Sequence, residues 1–304
     1  MRNEEVLILT VSKDSMTYSL DAIELGYLMS TIFKNRNTLA KLISKINLYT
    51  KFSFGKYFFN SEWKSKLNEI SQIIIVAHPD SVGVIKYLNQ YFPNIYIHVW
   101  YNNPVKHEIS PDIFKKLNCK VWSFDKKDCE SFGLFYNNQY VDIFKFKKIE
   151  QNSKKYDVVF VGKDKGRLEY LLSLRKIFEE NNLITYFYIV DSNDYNGEYE
   201  FQEKISYSEV INLENNAKAI LEINQKGQSG SSLRALEALI MRIKLITNNQ
   251  NVKEELYYNK KNIFILGEDN LDELSTFLSS SFNSIPNSII NHYIFEGWIK
   301  KFDN

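Results

Sequence analysis

Short runs rich in Val, Ile and aromatic residues recur along this chain, separated by longer stretches with helical spacing. Such alternation predicts α/β units built around a parallel sheet. In the first half the apolar runs predict strands at 6–10, 72–77, 95–100 and 119–124. Their near-continuous apolar character suits strands covered on both faces. In the second half the runs fall at 157–161, 184–190, 219–223, 243–247 and 262–266. Residues 167–180 place Leu171, Leu174 and Phe178 at i, i+3 and i+7, one face of a helix. Near the end, Ile290, Ile294 and Trp298 share a stripe, so a terminal helix is expected to cover something, with the other domain as candidate.

The polar, basic stretch KFKKIEQNSKKYD (145–157) precedes a fresh strand and marks a junction. The predicted domains are therefore 1–150 and 151–304, in keeping with a length of 304 residues and domains of roughly 150. The loop DSNDYNGEYE (191–200) reads as an acidic surface turn, and no internal repeat is evident.

Composition sharpens this picture little. A hydrophobic fraction of 44% and a charged fraction of 25% allow two ordinary cores, and a net charge of +1 gives no global reason to bind nucleic acid. Cys119 and Cys129 are too few for a disulfide scaffold and lack metal-ligand spacing, so packing in a reducing compartment is expected. The start, MRNEEVLILT, lacks the basic, long-apolar pattern of a signal peptide, and no run approaches the ~20 apolar residues of a spanning helix. The expected location is cytoplasmic, at most peripheral at the inner face of a membrane.

Two segments of the second half carry candidate chemistry. In DVVFVGKDKGRLEYLLSLRKIFEE (157–180) a strand runs through a glycine turn into a helix, and Gly162 and Gly166 bracket Lys163 and Lys165, with Arg167 opening the helix. Free N–H groups at a helix start, joined by three cations, suit a phosphate, although a basic helix start can also be a solvated surface. In AILEINQKGQSGSSLRALEALIMRIKLITNN (219–249) a loop with Ser229, Gly230, Ser231 and Ser232 feeds a helix that should bury Leu233, Leu236 and Ile240. Arg234 and Glu237 fall on the neighbouring stripe. Arg234 in the first turn opposes the helix dipole, which a bound anion would relieve. Equally, Arg234 can pair with Glu237 at i, i+3, worth ~0.2–0.5 kcal/mol on an exposed helix.

The succession of a V-G-K-x-K-G turn, an S-G-x-x-L-R-x-x-E-A-L helix and K-L-I-T resembles the donor domain of bacterial GT-B glycosyltransferases. Through HVWYNNPV (98–105) and VWSFDKKD (121–128) the first half is similar to small lipopolysaccharide and capsular polysaccharide transferases. The resemblance implies an α/β fold of two Rossmann-like domains with a C-terminal helix crossing back to the first. It implies that a nucleotide diphosphate sugar, as co-substrate, meets a saccharide or lipid-linked acceptor with retention at the anomeric centre. By position, Lys163, Lys165 and Arg167 would neutralise the diphosphate, the Ser229–Ser232 helix start would donate to phosphate or sugar oxygens, and Glu237 would hold the ribose. Ser229 stands where many retaining members carry a further Glu, which bears on the donor sugar. No D-x-D pair sits in a loop poised to hold a metal, and no other cofactor is implied.

In the first half, ligands should gather at the carboxyl ends of the strands, where Ser12, Lys13, His78, Asp80, Asn102, Asn103 and Asp125 fall. His78 and Asp80 could orient an acceptor hydroxyl or assist proton transfer as catalytic groups; alternatively Asp80 is a helix N-cap with His78 as its local partner. The usual glycine-rich turn after the first strand is replaced by LTVSKDS. From residue 31 to 66 eight basic residues face one acid, Glu62, interleaved with aromatics such as Phe52, Phe54, Tyr57 and Trp63. Basic plus aromatic suits an anionic membrane surface, an acceptor-cleft wall, a partner surface or a nucleic-acid patch, with the membrane favoured narrowly over a solvated face. A glycosyltransferase is thus the leading expectation, and a non-catalytic GT-B-like subunit the alternative. A Rossmann dehydrogenase fits poorly, since neither half has G-x-G-x-x-G after its first strand.

Overall fold

Strand β1 (Val6–Thr10) is apolar and wholly buried because it lies inside a sheet covered on both sides. The computed structural model describes residues 2–13, 17–147, 153–192, 197–225 and 227–303. The described chain divides into two units: Met1–Asp142 with Trp298–Asn304, and Ile143–Gly297. Residues 148–152 of the basic 145–157 stretch, residues 193–196 of the acidic loop, and 14–16 of LTVSKDS lie outside the described residues.

In the first unit β1 is followed by α1 (Leu20–Glu24), β2 (Leu28–Thr31), α2 (Thr38–Tyr49) and α3 (Ser61–Lys64). Then come β3 (Gln72–Val76), α4 (Pro79–Tyr91), β4 (Tyr96–Tyr101), α5 (Pro111–Lys115), β5 (Lys120–Ser123), α6 (Lys126–Phe132) and β6 (Phe135–Tyr136). The sheet order is β2-β1-β3-β4-β5-β6 and every pairing is parallel. The sequence pattern locates four of these strands. It misses β2, whose LMST is short and only half buried, and β6, which is two residues long.

Alternate side chains of this sheet serve two faces. Leu7, Leu9, Ile73, Ile75 and Val99 join Ile85 and Leu88 of α4 in one core. On the other face Trp100 meets Trp298 at 4.9 Å between ring centroids, and Trp122 meets Phe302 at 4.9 Å. Below them, buried His98 accepts a 3.0 Å hydrogen bond on Nδ1 from Trp122 Nε1. The last residues of the chain thus complete the first unit.

The second unit holds β7 (Tyr156–Lys163), α7 (Leu168–Glu180), β8 (Thr185–Val190), α8 (Tyr207–Asn215), β9 (Ala217–Glu222), α9 (Leu233–Met241), β10 (Lys244–Thr247) and β11 (Ile263–Ile265). Beyond it lie α10 (Leu274–Ser279), α11 (Asn287–His292) and α12 (Phe295–Ile299). The sheet is parallel throughout, in the order β11-β10-β9-β7-β8. Leu171, Leu174 and Phe178 are buried as their spacing predicts. Two Rossmann-like α/β units, the second placed before the first is finished, make the expected GT-B class of fold.

Two expectations are corrected. The terminal stripe Ile290, Ile294 and Trp298 is not one helix, because α11 ends at His292 and α12 begins at Phe295. The break brings Gly297 against the preceding turn, where a Cβ would lie 2.1 Å from the Asn291 carbonyl oxygen. On α9 the buried side chains are Ala235, Leu236, Glu237, Ala238 and Leu239, whereas Leu233 and Ile240 are half-buried. That helix is covered on more than one side, so its buried arc is wider than a single stripe.

Candidate functional site

In an open parallel sheet, a crevice forms at the carboxyl edge where successive crossovers leave in opposite directions. In the second unit β7 has β8 on one side and β9 on the other, so that crevice lies at the ends of β7 and β9. The β7–α7 turn is there, and so is the β9–α9 loop with Ser229, Gly230, Ser231 and Ser232. Sheet order therefore gathers the two segments that the sequence singles out.

The β7–α7 turn is fixed by buried Asp164, whose carboxylate accepts from Gly166 N at 3.1 Å and Arg167 N at 3.0 Å. Lys165 and Gly166 take left-handed backbone, φ 52° and 74°, the second far easier for glycine than the first for lysine. Lys163 and Lys165 are exposed. Arg167 lies with its guanidinium 5.3 Å from the Phe160 ring centroid and donates Nη2 to Lys163 O at 3.1 Å. Its Nε is buried with no hydrogen-bond partner among the described residues. The surrounding protein, then the neighbouring charges of Arg167, Lys163 and Arg234, push the Lys165 ammonium down to about 8. Burial, then Arg234, push Arg167 down to about 10. These are cations held closer together than water alone would favour.

Arg234 and Glu237 do not stand open beside them. Arg234 donates Nε to Val161 O at 3.2 Å, pairs through Nη1 with Glu237 Oε2, and has Nε 3.0 Å from Glu214 Oε1. Glu237 is fully buried and its Oε1 accepts from Tyr207 OH at 2.6 Å. The i, i+3 pair therefore exists, but it is interior and includes a third member, Glu214, that sequence reasoning missed. Burial, with Glu237 adding repulsion and Arg234 opposing both, holds Glu214 well above the usual carboxylate range.

The β9–α9 loop is equally tied. Ser232 caps α9 by accepting from Arg234 N at 3.1 Å, while its own N–H donates to Glu222 Oε1 at 2.9 Å. Ser231 Oγ accepts from Tyr257 OH at 2.7 Å, and Asn224 Nδ2 donates to Gly230 O at 3.2 Å. Ser229 is buried. Gly162, at the end of β7, has Arg167 Nη2 3.8 Å from where a Cβ would stand.

In the first unit the crevice falls between β1 and β3, whose carboxyl ends lead to Ser12 and to His78. The cap of α4 is His78 and not Asp80: Nδ1 of His78 accepts from Asp80 N at 3.1 Å, with Pro79 supplying a preset φ at the first helical position. Asp80 is buried one turn position later and receives Arg36 Nε on Oδ2 at 2.6 Å. Burial alone would raise its pKa, but His78, Arg36 and Ser44 outweigh that and bring it to about 2. Asp80 is thus a fixed carboxylate and a poor proton acceptor near neutral pH. Arg36 Nη2 also lies 3.5 Å from His78 Nε2, so one guanidinium faces both members of the pair. Arg36, counted in the sequence only as part of a basic segment, is the missing third member.

The remaining edge residues are largely structural. Asn103 Nδ2 donates to Glu108 Oε1 at 3.0 Å, and Gln139 Nε2 to Asn102 O at 2.8 Å. Asp125 caps α6 through Lys127 N and Asp128 N. Both cysteine thiols are pushed up to about 12 by burial. Among the described residues no cluster of three or more His, Cys, Asp or Glu side chains could hold a metal ion, and no helix is long and apolar enough to cross a membrane.

No family model matches the sequence, and no curated protein matches it. Similar solved structures include the spinosyn forosaminyltransferase SpnP, at 8% identity and TM-score 0.44 over 98% of each chain. Another is a Listeria monocytogenes protein assigned as a UDP-N-acetylglucosamine 2-epimerase, at 8% identity and TM-score 0.47 over 97% of this chain and 93% of that one. At such identities and scores neither likeness carries an inference about chemistry.

Proposed function

We propose that this protein is a glycosyltransferase that moves a sugar from a nucleoside diphosphate sugar to a saccharide or lipid-linked acceptor, in bacterial surface polysaccharide synthesis. The carrying observation is the set of cations Lys163, Lys165 and Arg167 on one turn at the sheet's switch point, where the acid among them, Asp164, is occupied by the turn's own N–H groups. A diphosphate there offsets the burial, and the lesser repulsion between cations, that depress Lys165 and Arg167. In the transfer the bond from anomeric carbon to diphosphate oxygen breaks with its electron pair left on the diphosphate. The acceptor oxygen bonds the carbon and gives up its proton to the departing diphosphate. Preorganised cations stabilise that departing charge, which is how they would catalyse. Retention is what the resemblance implies. For Glu237 to hold the ribose, Tyr207 must release Oε1.

Titration with UDP, GDP, ADP and CDP tests this. One of them should bind and raise the melting temperature, and Lys163→Ala with Lys165→Ala should weaken that binding by about tenfold or more. Binding of none, or unchanged affinity in the double variant, overturns the assignment. A non-catalytic subunit of the same fold is the second reading, favoured by Ser229 in place of an acid and by the occupied oxygens of Glu237. It requires no nucleotide binding, so the same titration separates the two.

A further inference from the structure

Helix α2 faces the wrong way for a helix that serves only its own core. It buries Ala40, Ile43, Ser44 and Asn47 while leaving Leu39, Leu42, Ile46 and Tyr49 outside, the last three 53%, 40% and 89% exposed. Those four are spaced i, i+3, i+7 and i+10 and form one line along the helix. The segment after it adds Phe52 and Tyr57, 66% and 85% exposed. Single exposed apolar residues are ordinary, but a continuous line of them marks an interaction surface.

Charge identifies the occupant. Lys41 and Lys45 sit one turn apart beside the apolar line, Lys34 precedes the helix and Lys51 follows it, all exposed. None of these is in an ion pair among the described residues. The segment's acid, Glu62, accepts from Asn60 Nδ2 at 3.1 Å and does not neutralise them. We propose that this face docks on an anionic bilayer, with α2 lying in the interfacial plane. The apolar line enters the acyl boundary, the lysines meet lipid phosphates, and Tyr49 and Tyr57 keep their hydroxyls at headgroup level. A second copy of the chain is the poorer occupant, since a two-fold contact would set these lysines against each other. Arg36, just before the Asn37 cap of α2, links the same face to Asp80 at the carboxyl edge of the sheet.

Co-sedimentation of the full chain with vesicles of phosphatidylcholine, alone or mixed with phosphatidylglycerol, tests the proposal. The chain should bind the mixed vesicles and lose binding as salt is raised. Leu42→Glu with Ile46→Glu should weaken binding by about tenfold or more, as should Lys41→Glu with Lys45→Glu. Because all four residues are exposed, the melting temperature should stay unchanged. No binding to mixed vesicles at low salt, or equal binding by wild type and both variants, overturns the proposal. So does a lipid-free dimer that Leu42→Glu converts to a monomer, which would make the face a contact between copies.

Discussion

Arg234 lies 3.0 Å from Glu214 through Nε while its Nη1 holds Glu237, so one guanidinium serves two buried carboxyl groups. One positive charge cannot neutralise both acids, and burial, opposed by Arg234, holds Glu214 well above its usual range. Glu214→Gln, which copies a protonated acid in shape, should therefore change the unfolding free energy by less than about 1 kcal/mol. Arg234→Met leaves a buried carboxylate without its partner and should cost about 3–5 kcal/mol. Chemical denaturation of the two variants checks both, and an equal loss in each would place a full charge on Glu214.

Lys165 gives the proposed diphosphate site a pH dependence. With its ammonium pushed down to about 8, it is charged below that pH and loses its charge above it. Affinity for the nucleoside diphosphate should thus fall between pH 7 and pH 9, whereas completing the ionisation of the terminal phosphate would by itself raise it. Lys165→Arg keeps its charge throughout that range and should flatten the profile, as calorimetric titration at each pH would show.

His98 should make the first unit sensitive to acid. Burial, then Lys120, lower its pKa to about 4, against about 6.5 in an unfolded chain. Between these values the unfolded state binds a proton that the folded state refuses, so stability falls as pH falls through that window. The loss from this group reaches about 3 kcal/mol by pH 4. His98→Gln retains an acceptor for Trp122 and should show a shallower decline in melting temperature from pH 7 to pH 4.

Gly297→Ala should be strongly destabilising. Its Cβ would stand 2.1 Å from a backbone oxygen and 2.9 Å from His292 Cα, and neither can step aside as a side chain could. A loss of several kcal/mol, on the order of 3 or more, is expected by denaturant titration.

Buried strands were legible in the sequence because nothing competes with a run such as QIIIV for the middle of a sheet. The β7–α7 turn was legible as a unit too, since its glycines and cations are contiguous. Glu214 was not: within YSEVINLEN it looks like any solvent-facing acid, and its burial depends on Arg234 reaching across from another helix. Helix α2 was obscured for a different reason. Periodicity reveals a stripe, but it cannot say that Ala40, Ser44 and Asn47 face inward while Leu39, Leu42 and Ile46 face out. His78 and Asp80 were found as a pair with their roles exchanged, because the imidazole and not the carboxylate meets the helix N–H group.

The return of Trp298 and Phe302 to the first sheet sets an order on how the polypeptide can be made. During synthesis the first six strands emerge early, yet Trp100 and Trp122 lack part of their cover until Trp298 and Phe302 have left the ribosome. The unit that begins first is finished last, and the intervening unit can fold while its neighbour waits. A stop codon after Gly297 would therefore harm the far end of the chain more than the near one.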